Sequence, residues 1–148
     1  DCPLASRCLA LAAGTVAERP VKQAKTKVRD RWFNYLHVTC GDRTLLRRRG
    51  EGDIWQGLYE FPMIETDRAA DFSELTDSEE FRTLLDGVEW RLLRSVAMPK
   101  HQLSHQTLHA VFHRIEIFSP VDFPSVPTAT LGDYAVPRLI DRYLDRQP

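Results

Sequence analysis

Lys100-His101-Gln102-Leu103-Ser104-His105-Gln106-Thr107-Leu108-His109 changes character along its length, and residues 110–117 continue its second half. The first half is dense in groups that can contact a base edge or a phosphate, and the second half is dense in β-branched and aromatic residues. This order predicts a polar loop that leads into a strand. Residues 90–115 contain four Arg or Lys residues and four histidines but no Asp or Glu. We therefore expect an anion to bind here.

The chain before this segment predicts a hairpin and two further strands. Residues 27–40 alternate apolar and polar side chains with period two, and Gly41-Asp42 is a compact turn into residues 44–48. Residues 54–62 predict a short strand that ends at Pro62, and residues 88–98 predict another that ends before a proline.

The strand predicted over residues 107–118 changes its apolar side part-way. Leu108, Ala110 and Phe112 stand at even positions and so share one side of a strand. Val111, Ile115 and Ile117 stand at odd positions and share the other side. A bulge, or burial of both faces, would explain the change. The capping box Thr76-Asp77-Ser78-Glu79 predicts a helix that stops at Gly87, and residues 134–144 predict an amphipathic helix. These elements predict an α+β domain, a mixed sheet flanked by helices.

Length and composition fit one globular domain, because 148 residues with 43% apolar side chains can fill a core. No run approaches the roughly 20 apolar residues that a membrane helix needs, so we expect no membrane association. Residues 1–50 hold eleven basic and four acidic residues, a net charge of +7, and residues 51–148 hold nine basic and seventeen acidic residues, a net charge of −8. The basic N-terminal part indicates a polyanionic partner, although a solvated basic face is as common.

Two of the three cysteines stand at the start of the chain. Cys2 and Cys8 are separated by five residues and precede a short helical run that stops at Gly14. Because iron–sulfur clusters usually take four thiolates, the pair indicates that two further ligands lie upstream. Two free thiols, or one small disulfide loop, explain the spacing equally well. Cys40 is expected to be a buried, small apolar residue.

Four features together resemble the C-terminal part of bacterial A/G-specific adenine DNA glycosylases, the MutY family. They are the Cys-Pro…Cys start, the linker with Pro20 and Lys22 to Lys27, the segment Trp55-Gln56-Gly57-Leu58-Tyr59-Glu60-Phe61-Pro62, and His101-Gln102-Leu103-Ser104-His105. They span nearly the whole chain in the order of the family. The combination is specific, although none of the four is specific by itself.

The resemblance implies three segments. Residues 1–13 would end the iron–sulfur loop of an N-terminal catalytic domain, residues 14–26 would link the domains, and residues 27–148 would form a Nudix-like lesion-recognition domain. The family spaces its cluster ligands Cys-x6-Cys-x2-Cys-x5-Cys, and Cys2 and Cys8 match the last pair. They would be two of the four ligands of a 4Fe-4S cluster in the full-length protein, and no cofactor is expected in the fragment alone. The residues that excise adenine would lie upstream, so no catalytic residue is expected in this chain.

The resemblance also implies that this domain recognises 8-oxoguanine opposite adenine. The family's loop is Phe-Ser-His, whose serine contacts the oxidised base; Ser104 and His105 match it and Leu103 departs from it, with a loss of aromatic stacking of about 1–3 kcal/mol. The predicted lesion-binding and DNA-binding residues are Lys100, His101, Gln102, Leu103, Ser104 and His105. 8-Oxoguanine has a hydrogen on N7 where guanine has an acceptor, and a hydroxyl can accept a hydrogen bond from it. The alternative role of Ser104 is to cap the turn before the strand.

A hydrolase on the same fold is the alternative from another functional class. Nudix hydrolases need a Gly, a Glu six residues later, and an Arg-Glu…Glu-Glu helix that holds magnesium on a pyrophosphate. Met63 stands six residues after Gly57, and Glu79-Glu80 lacks the preceding partners. We therefore expect the fold without its chemistry. A non-catalytic protein-interaction module is the third hypothesis.

The histidines at 101, 105, 109 and 113 recur every four residues. In an extended chain four residues span about 13 Å, which is too far for four imidazoles to converge on one zinc ion. Base or phosphate contacts are predicted for His101 and His105, and structural roles for His109 and His113.

Weaker phosphate contacts are predicted for Lys22, Lys25, Lys27, Arg47, Arg48 and Arg49. A solvated hairpin tip explains the three arginines equally well. Trp55, Tyr59 and Phe61 are expected in the core rather than beneath a base. We expect a monomeric, cytoplasmic, nucleoid-associated bacterial protein whose partners are duplex DNA with 8-oxoguanine opposite adenine and its own N-terminal catalytic domain. A sliding clamp or mismatch-repair proteins are further candidate partners.

Overall fold

The computed structural model describes residues 2–18 and 28–146, which contain nine strands and four α-helices. The strands are β1 (Arg29–Cys40), β2 (Arg43–Leu45), β3 (Arg47–Arg48), β4 (Tyr59–Glu60), β5 (Met63–Thr66), β6 (Trp90–Ala97), β7 (His101–Gln102), β8 (Gln106–Ile117) and β9 (Ser125–Pro127). The α-helices are α1 (Leu9–Ala12), α2 (Phe72–Thr76), α3 (Glu79–Leu85) and α4 (Arg138–Leu144). Short 3-10 helices span Ala5–Arg7, Val16–Glu18 and Thr128–Asp133.

The main sheet is mixed, with the strand order β6-β8-β1-β2-β9. Its two central strands, β1 and β8, have 12 residues each and run parallel. The other strands pair antiparallel, with β5 beside β1 and β7 beside β8. The short strands β3 and β4 form a separate sheet. The predicted α+β fold, a mixed sheet flanked by helices, is confirmed.

Both faces of the central strands are buried, which simple alternation along β1 does not reveal. Phe33 and Tyr35 belong to the core that contains α4, whereas Leu36 and Val38 belong to the core that contains α2 and α3. Each helix is too short to be stable in isolation. Burial of apolar side chains against the sheet therefore stabilises it, at about 1.5–3 kcal/mol for each fully buried large side chain.

The two cores also explain the change of parity in β8. Leu108 and Phe112 join the α4 core, whereas Ile115 and Ile117 join the core under α2 and α3. The pairing of β6 with β8 shifts register around Leu93, where β6 carries one extra residue. Burial on both faces and a bulge are both present, and the bulge lies on β6.

The two predicted helices are confirmed with corrected starts. The Ser78 hydroxyl accepts a hydrogen bond from the Phe81 N–H over 3.2 Å, so Ser78 rather than Thr76 is the N-cap of α3. The helix α4 begins at Arg138 rather than at residue 134, because Pro137 stands at its N-cap and a residue that precedes proline avoids helical backbone angles.

The strand predicted over residues 54–62 is mostly turn, and only Tyr59–Glu60 is extended. Trp55 and Gly57 both have positive φ angles, of 62° and 80°, which interrupt an extended chain. The strand β5 follows directly after Pro62. Neither β5 nor α2 was predicted, because each is so short that it has little periodicity of its own.

The N-terminal stretch, residues 2–18, consists of short helical turns with no buried side chain in its helices. Cys2 is exposed, Cys8 is half-buried, and both are free thiols. Residues 19–27 lie outside the described residues, and with them most of the predicted linker and Lys22, Lys25 and Lys27. Within the stretches that are described, the helices are all too short or too polar to cross a membrane.

Candidate nucleic-acid interface

The strands β7 and β8 form a hairpin whose turn is Ser104-His105. The Leu103 N–H donates to the Gln106 carbonyl oxygen over 2.8 Å, which closes a two-residue turn. Ser104 and His105 are exposed, whereas Leu103 is half-buried and packs against the α4 core. The hydroxyl predicted to meet the lesion therefore lies at an accessible tip, and Leu103 supports the turn from below.

The polar loop predicted before β8 is shorter than expected. His101 and Gln102 pair with Leu108 and Thr107 in the sheet, so they are strand residues. Gln102 is nevertheless exposed, as are Lys100, on the connection from β6, and the two turn residues Ser104 and His105.

The turn is attached to the central strand β1 by two hydrogen bonds. The Arg29 N–H donates to the His105 carbonyl oxygen over 3.1 Å, and Arg31 Nη1 donates to Gln106 Oε1 over 3.1 Å. These bonds hold His105 and Gln106, the two residues that follow Ser104. A strand buried on both faces therefore fixes the position of the tip.

Arg31 joins the base of the turn to the loop around Asp53. Its guanidinium, 8% exposed, makes bidentate bonds of 2.6–2.7 Å to both Glu65 and Asp53. Hydrogen bonds to these two carboxylates raise the pKa of Arg31, and the Arg31 guanidinium holds the pKa of Asp53 at about 2. Arg31 is therefore a permanently charged structural contact.

Arg47, Arg48 and Arg49 do not form an open basic tip. Arg49 is 7% exposed and pairs with the buried Glu60 and, over 2.9 Å, with Asp53. Arg47 also pairs with Glu60, over 3.2 Å, and Arg48 donates to the Gly57 carbonyl oxygen over 2.9 Å. Arg49 is committed to the interior, and its two neighbours hold the strand β4 and the loop that precedes it.

Carboxylates that are remote in sequence approach the start of β8. Asp30, on β1, lies 2.7 Å from the His109 imidazole, and Asp53 and Glu65 share Arg31 with Gln106. Residues 90–115 contain no Asp or Glu, but the fold brings carboxylates from other parts of the chain next to them. An anion is better accommodated at the turn and on the side that faces α4 than along β8.

Trp55 lies beside the hairpin in a strained backbone conformation. Its φ of 62° is rare for a residue that is not glycine. The indole ring is 6.4 Å from the Phe33 ring, edge to face, and 6.0 Å from the His101 ring. The predicted core position is only partly realised, because Trp55 is half-buried and borders the surface next to His101.

The four regularly spaced histidines have different surroundings. His105 is exposed at the turn; His109 stacks on Trp32 and bonds to Asp30. His113 is buried, bonds to Ser95 over 2.8 Å, and has its pKa lowered to about 4 by burial. His101 has its pKa lowered by partial burial and by the charge of Arg142.

A second pair of arginines lies next to the hairpin and was not among the predicted site residues. Arg142, in α4, and Arg146, just after it, line a cleft of about 280 Å³ together with His101. Both arginines are exposed. The sequence contained part of this signal, because Arg138 and Arg142 are four residues apart and so lie on one face of the helix predicted over residues 134–144. Arg146 lies beyond the end of that helix.

A larger cleft of about 490 Å³ lies on the other side, between β5 and α3, with Glu79, Glu80, Asp122 and Arg47 in its walls. Adjacent residues of a helix point about 100° apart, so Glu79 and Glu80 do not converge. In residues 2–18 and 28–146 no three His, Cys, Asp or Glu side chains are grouped so as to hold a metal ion. These residues do not fit the magnesium site of a Nudix hydrolase.

A family model described as NUDIX domain matches residues 34–146, more than half of the chain. The chain belongs to the Nudix domain family. Among solved structures it is similar to the E. coli ORF135 protein, with 15% identity and a TM-score of 0.56 over 80% of this chain and 91% of that chain. It is also similar to the MutT protein from Methanosarcina mazei Go1, with 13% identity and a TM-score of 0.57 over 84% of this chain and 95% of that one.

A weaker similarity is to the C-terminal domain of mouse MUTYH in its complex with human PCNA, with 16% identity and a TM-score of 0.48 over 79% of this chain and 89% of that chain. At such identities the similarities show the Nudix fold alone. The function of this Nudix domain must be inferred from its own surface.

Proposed function

We propose that this Nudix domain recognises 8-oxoguanine opposite adenine in duplex DNA, as the C-terminal part of an adenine DNA glycosylase. The observation that carries the proposal is the exposed Ser104 hydroxyl at the tip of a turn fixed to β1. A rigid tip with a rotatable hydroxyl can distinguish an N7–H donor from an N7 acceptor at little entropic cost. Exposed His105 supplies an N–H that can meet the C8 oxygen.

Substitution of Ser104 by alanine in the full-length protein tests this role. We expect the preference for 8-oxoguanine:A over G:A duplexes to fall by about 1–2 kcal/mol, because a hydrogen bond to the lesion is lost. Equilibrium binding to duplexes with a non-hydrolysable adenosine analogue measures the preference.

Ser119→Ala is the matched control. Ser119 is an exposed serine beyond the far end of β8, roughly 35 Å from the turn along the strand, and its loss should leave the preference unchanged. Equal losses of affinity on both duplexes after Ser104→Ala would show that Ser104 does not sense the oxidised base.

We propose further that Cys2 and Cys8 complete the cluster site of an upstream catalytic domain. Both are free thiols; Cys2 is exposed and Cys8 is half-buried. Cys40, in contrast, packs at the edge of the core under α2 and α3. Two thiolates are half of a four-thiolate set. The gene sequence upstream should encode two more cysteines in the Cys-x6-Cys-x2 spacing before Cys2; their absence would exclude this assignment. A sliding clamp or mismatch-repair protein stays a predicted partner.

Nucleotide pyrophosphate hydrolysis is the second candidate, favoured by the acidic cleft of Glu79, Glu80 and Asp122. The non-convergent carboxylates argue against it. Incubation of the protein with 8-oxo-dGTP and magnesium should give no turnover. Turnover that disappears in Glu79→Gln or Glu80→Gln would establish hydrolysis in its place.

A further inference from the structure

The cleft beside the recognition hairpin has two walls of different origin. Met98 and Pro99 come from the connection between β6 and β7, and His101 is the first residue of β7. Leu139 and Arg142 come from α4, and Arg146 comes from the turn that follows it. Met98 and Leu139 are buried in this lining, whereas Arg142 and Arg146 are exposed. Among the described residues that line this cleft, Asp145 is the one carboxylate.

The two guanidiniums have no hydrogen bond or ion pair with any of the described residues. Arg138, four residues before Arg142, is neutralised by its bond to Asp141, and the arginines at 47 and 49 are neutralised by Glu60 and Asp53. Arg142 belongs to α4 and Arg146 to the turn that follows it, and both line the same cleft. Exposed Lys100 adds a third positive charge next to His101.

We propose that Arg142 and Arg146, with Lys100 and His101, bind the phosphodiester backbone of the DNA strand whose base meets the Ser104-His105 turn. The proposal rests on the proposed function in that duplex DNA is the ligand. These four residues would bind phosphates whatever the DNA sequence, and the Ser104-His105 turn would recognise the oxidised base.

The position of the cleft fits this division of roles. His101 and Ser104 are three residues apart in a nearly extended chain, which spans about 10 Å. One strand of B-form DNA rises 3.4 Å per nucleotide, so the cleft is within reach of a phosphate about three nucleotides from the lesion. An arriving phosphate would also offset the repulsion between Arg142 and a protonated His101, the interaction that helps to lower the pKa of that histidine.

The double substitution R142Q/R146Q in the full-length protein tests the proposal. Each lost phosphate contact lowers the slope of log K against log salt by about 0.9, so the slope should fall by about 2. Affinity at low salt should fall roughly tenfold and equally for 8-oxoguanine:A and G:A duplexes, because backbone contacts are blind to the base.

The matched control is R68Q/R82Q, which removes the same formal charge from exposed arginines near α2 and α3. If the control lowers the slope as much as R142Q/R146Q does, only net charge matters and the proposal is overturned. An unchanged slope in R142Q/R146Q also overturns it, even if Ser104→Ala still removes the lesion preference. A slope reduced only in R142Q/R146Q, without any lesion preference in the parent protein, would retain this site and reject the proposed lesion reading.

Discussion

Two groups of arginines in this domain show that a run of positive charge in the sequence does not predict which guanidinium groups lack a partner in the fold. Arg47 to Arg49 are consecutive and conspicuous, but they are bonded to Glu60, Asp53 and the Gly57 carbonyl. Arg142 and Arg146 are separated in sequence, and in the folded chain they line a cleft together with His101 of the β7–β8 hairpin. What differs is whether the fold places a hydrogen-bond acceptor of the described residues opposite each guanidinium.

The strand register decides this difference. Arg47 stands directly opposite Glu60 in the β3–β4 pair, so the pairing of the small sheet places a carboxylate beside its guanidinium. Arg49 and Arg31 then share Asp53, which links the small sheet to the base of the hairpin. The first group of arginines thus stabilises the structure below the turn, whereas the guanidiniums of the second group have no partner among the described residues.

Replacement of Arg49 by methionine should give the largest loss of stability. Glu60 is 2% exposed and would keep only the bond to Arg47 over 3.2 Å. A buried carboxylate without any partner costs about 3–5 kcal/mol, which is the upper limit of the expected loss. Urea unfolding measures the change. Arg48→Met, at an exposed position, should cost less than about 1 kcal/mol; equal losses in both variants would mean that the three arginines form one uniform surface.

The core under α4 and the ion-pair network of Arg31 and Asp53 should lose stability at different pH values. Burial, with some help from Arg114 and Arg94, lowers the pKa of His37 to about 4, and this residue bonds to Tyr143 under α4. Because the unfolded chain binds this proton near pH 6.5, the contribution of His37 is complete above pH 6.5 and is lost as the pH falls to 4.

The size of this loss is about 3 kcal/mol, since one pKa unit corresponds to about 1.4 kcal/mol. The free energy of unfolding of wild type minus that of His37→Phe, measured from pH 7 to 4, isolates it from the similar response of His113. A difference that does not change over this range would contradict a neutral, buried His37.

The ion-pair network should respond only at lower pH. The Arg31 guanidinium depresses the pKa of Asp53 to about 2, so the stability that Asp53 contributes is present above about pH 4 and disappears as the pH falls towards 2. Asp53 is 38% exposed, so solvent screening limits its contribution to about 1 kcal/mol. Asp53→Asn should therefore be less stable than wild type at pH 7 and equally stable near pH 2; a constant difference would indicate a purely steric effect.

Much of the fold could be predicted from the sequence, because β1, β6, β8, α3 and α4 have clear periodicity and end signals. The exposed position of Ser104 and His105 could also be predicted, because they belong to a polar stretch that precedes the apolar residues of β8. The network on Arg31 was not, because its partners lie 22 and 34 residues away and only the pairing of β1 with β5 brings Glu65 there. The spacing of Arg142 and Arg146 is visible in the sequence. Their position beside His101 could not be predicted, because it depends on the packing of α4.

The smallest expected effect on stability is that of Arg142→Gln, and it is the most direct test of the comparison. An exposed side chain with no partner among the described residues contributes little to folding, so the change should stay within about 0.5 kcal/mol. Arg138→Gln loses the bond to Asp141 in the same helix, so it should lower the free energy of unfolding by about 0.3 kcal/mol more than Arg142→Gln does. If Arg142→Gln instead costs more than about 1 kcal/mol in urea unfolding, Arg142 is a structural residue like Arg49. A loss of DNA affinity without loss of stability would show that its charge is held for a ligand.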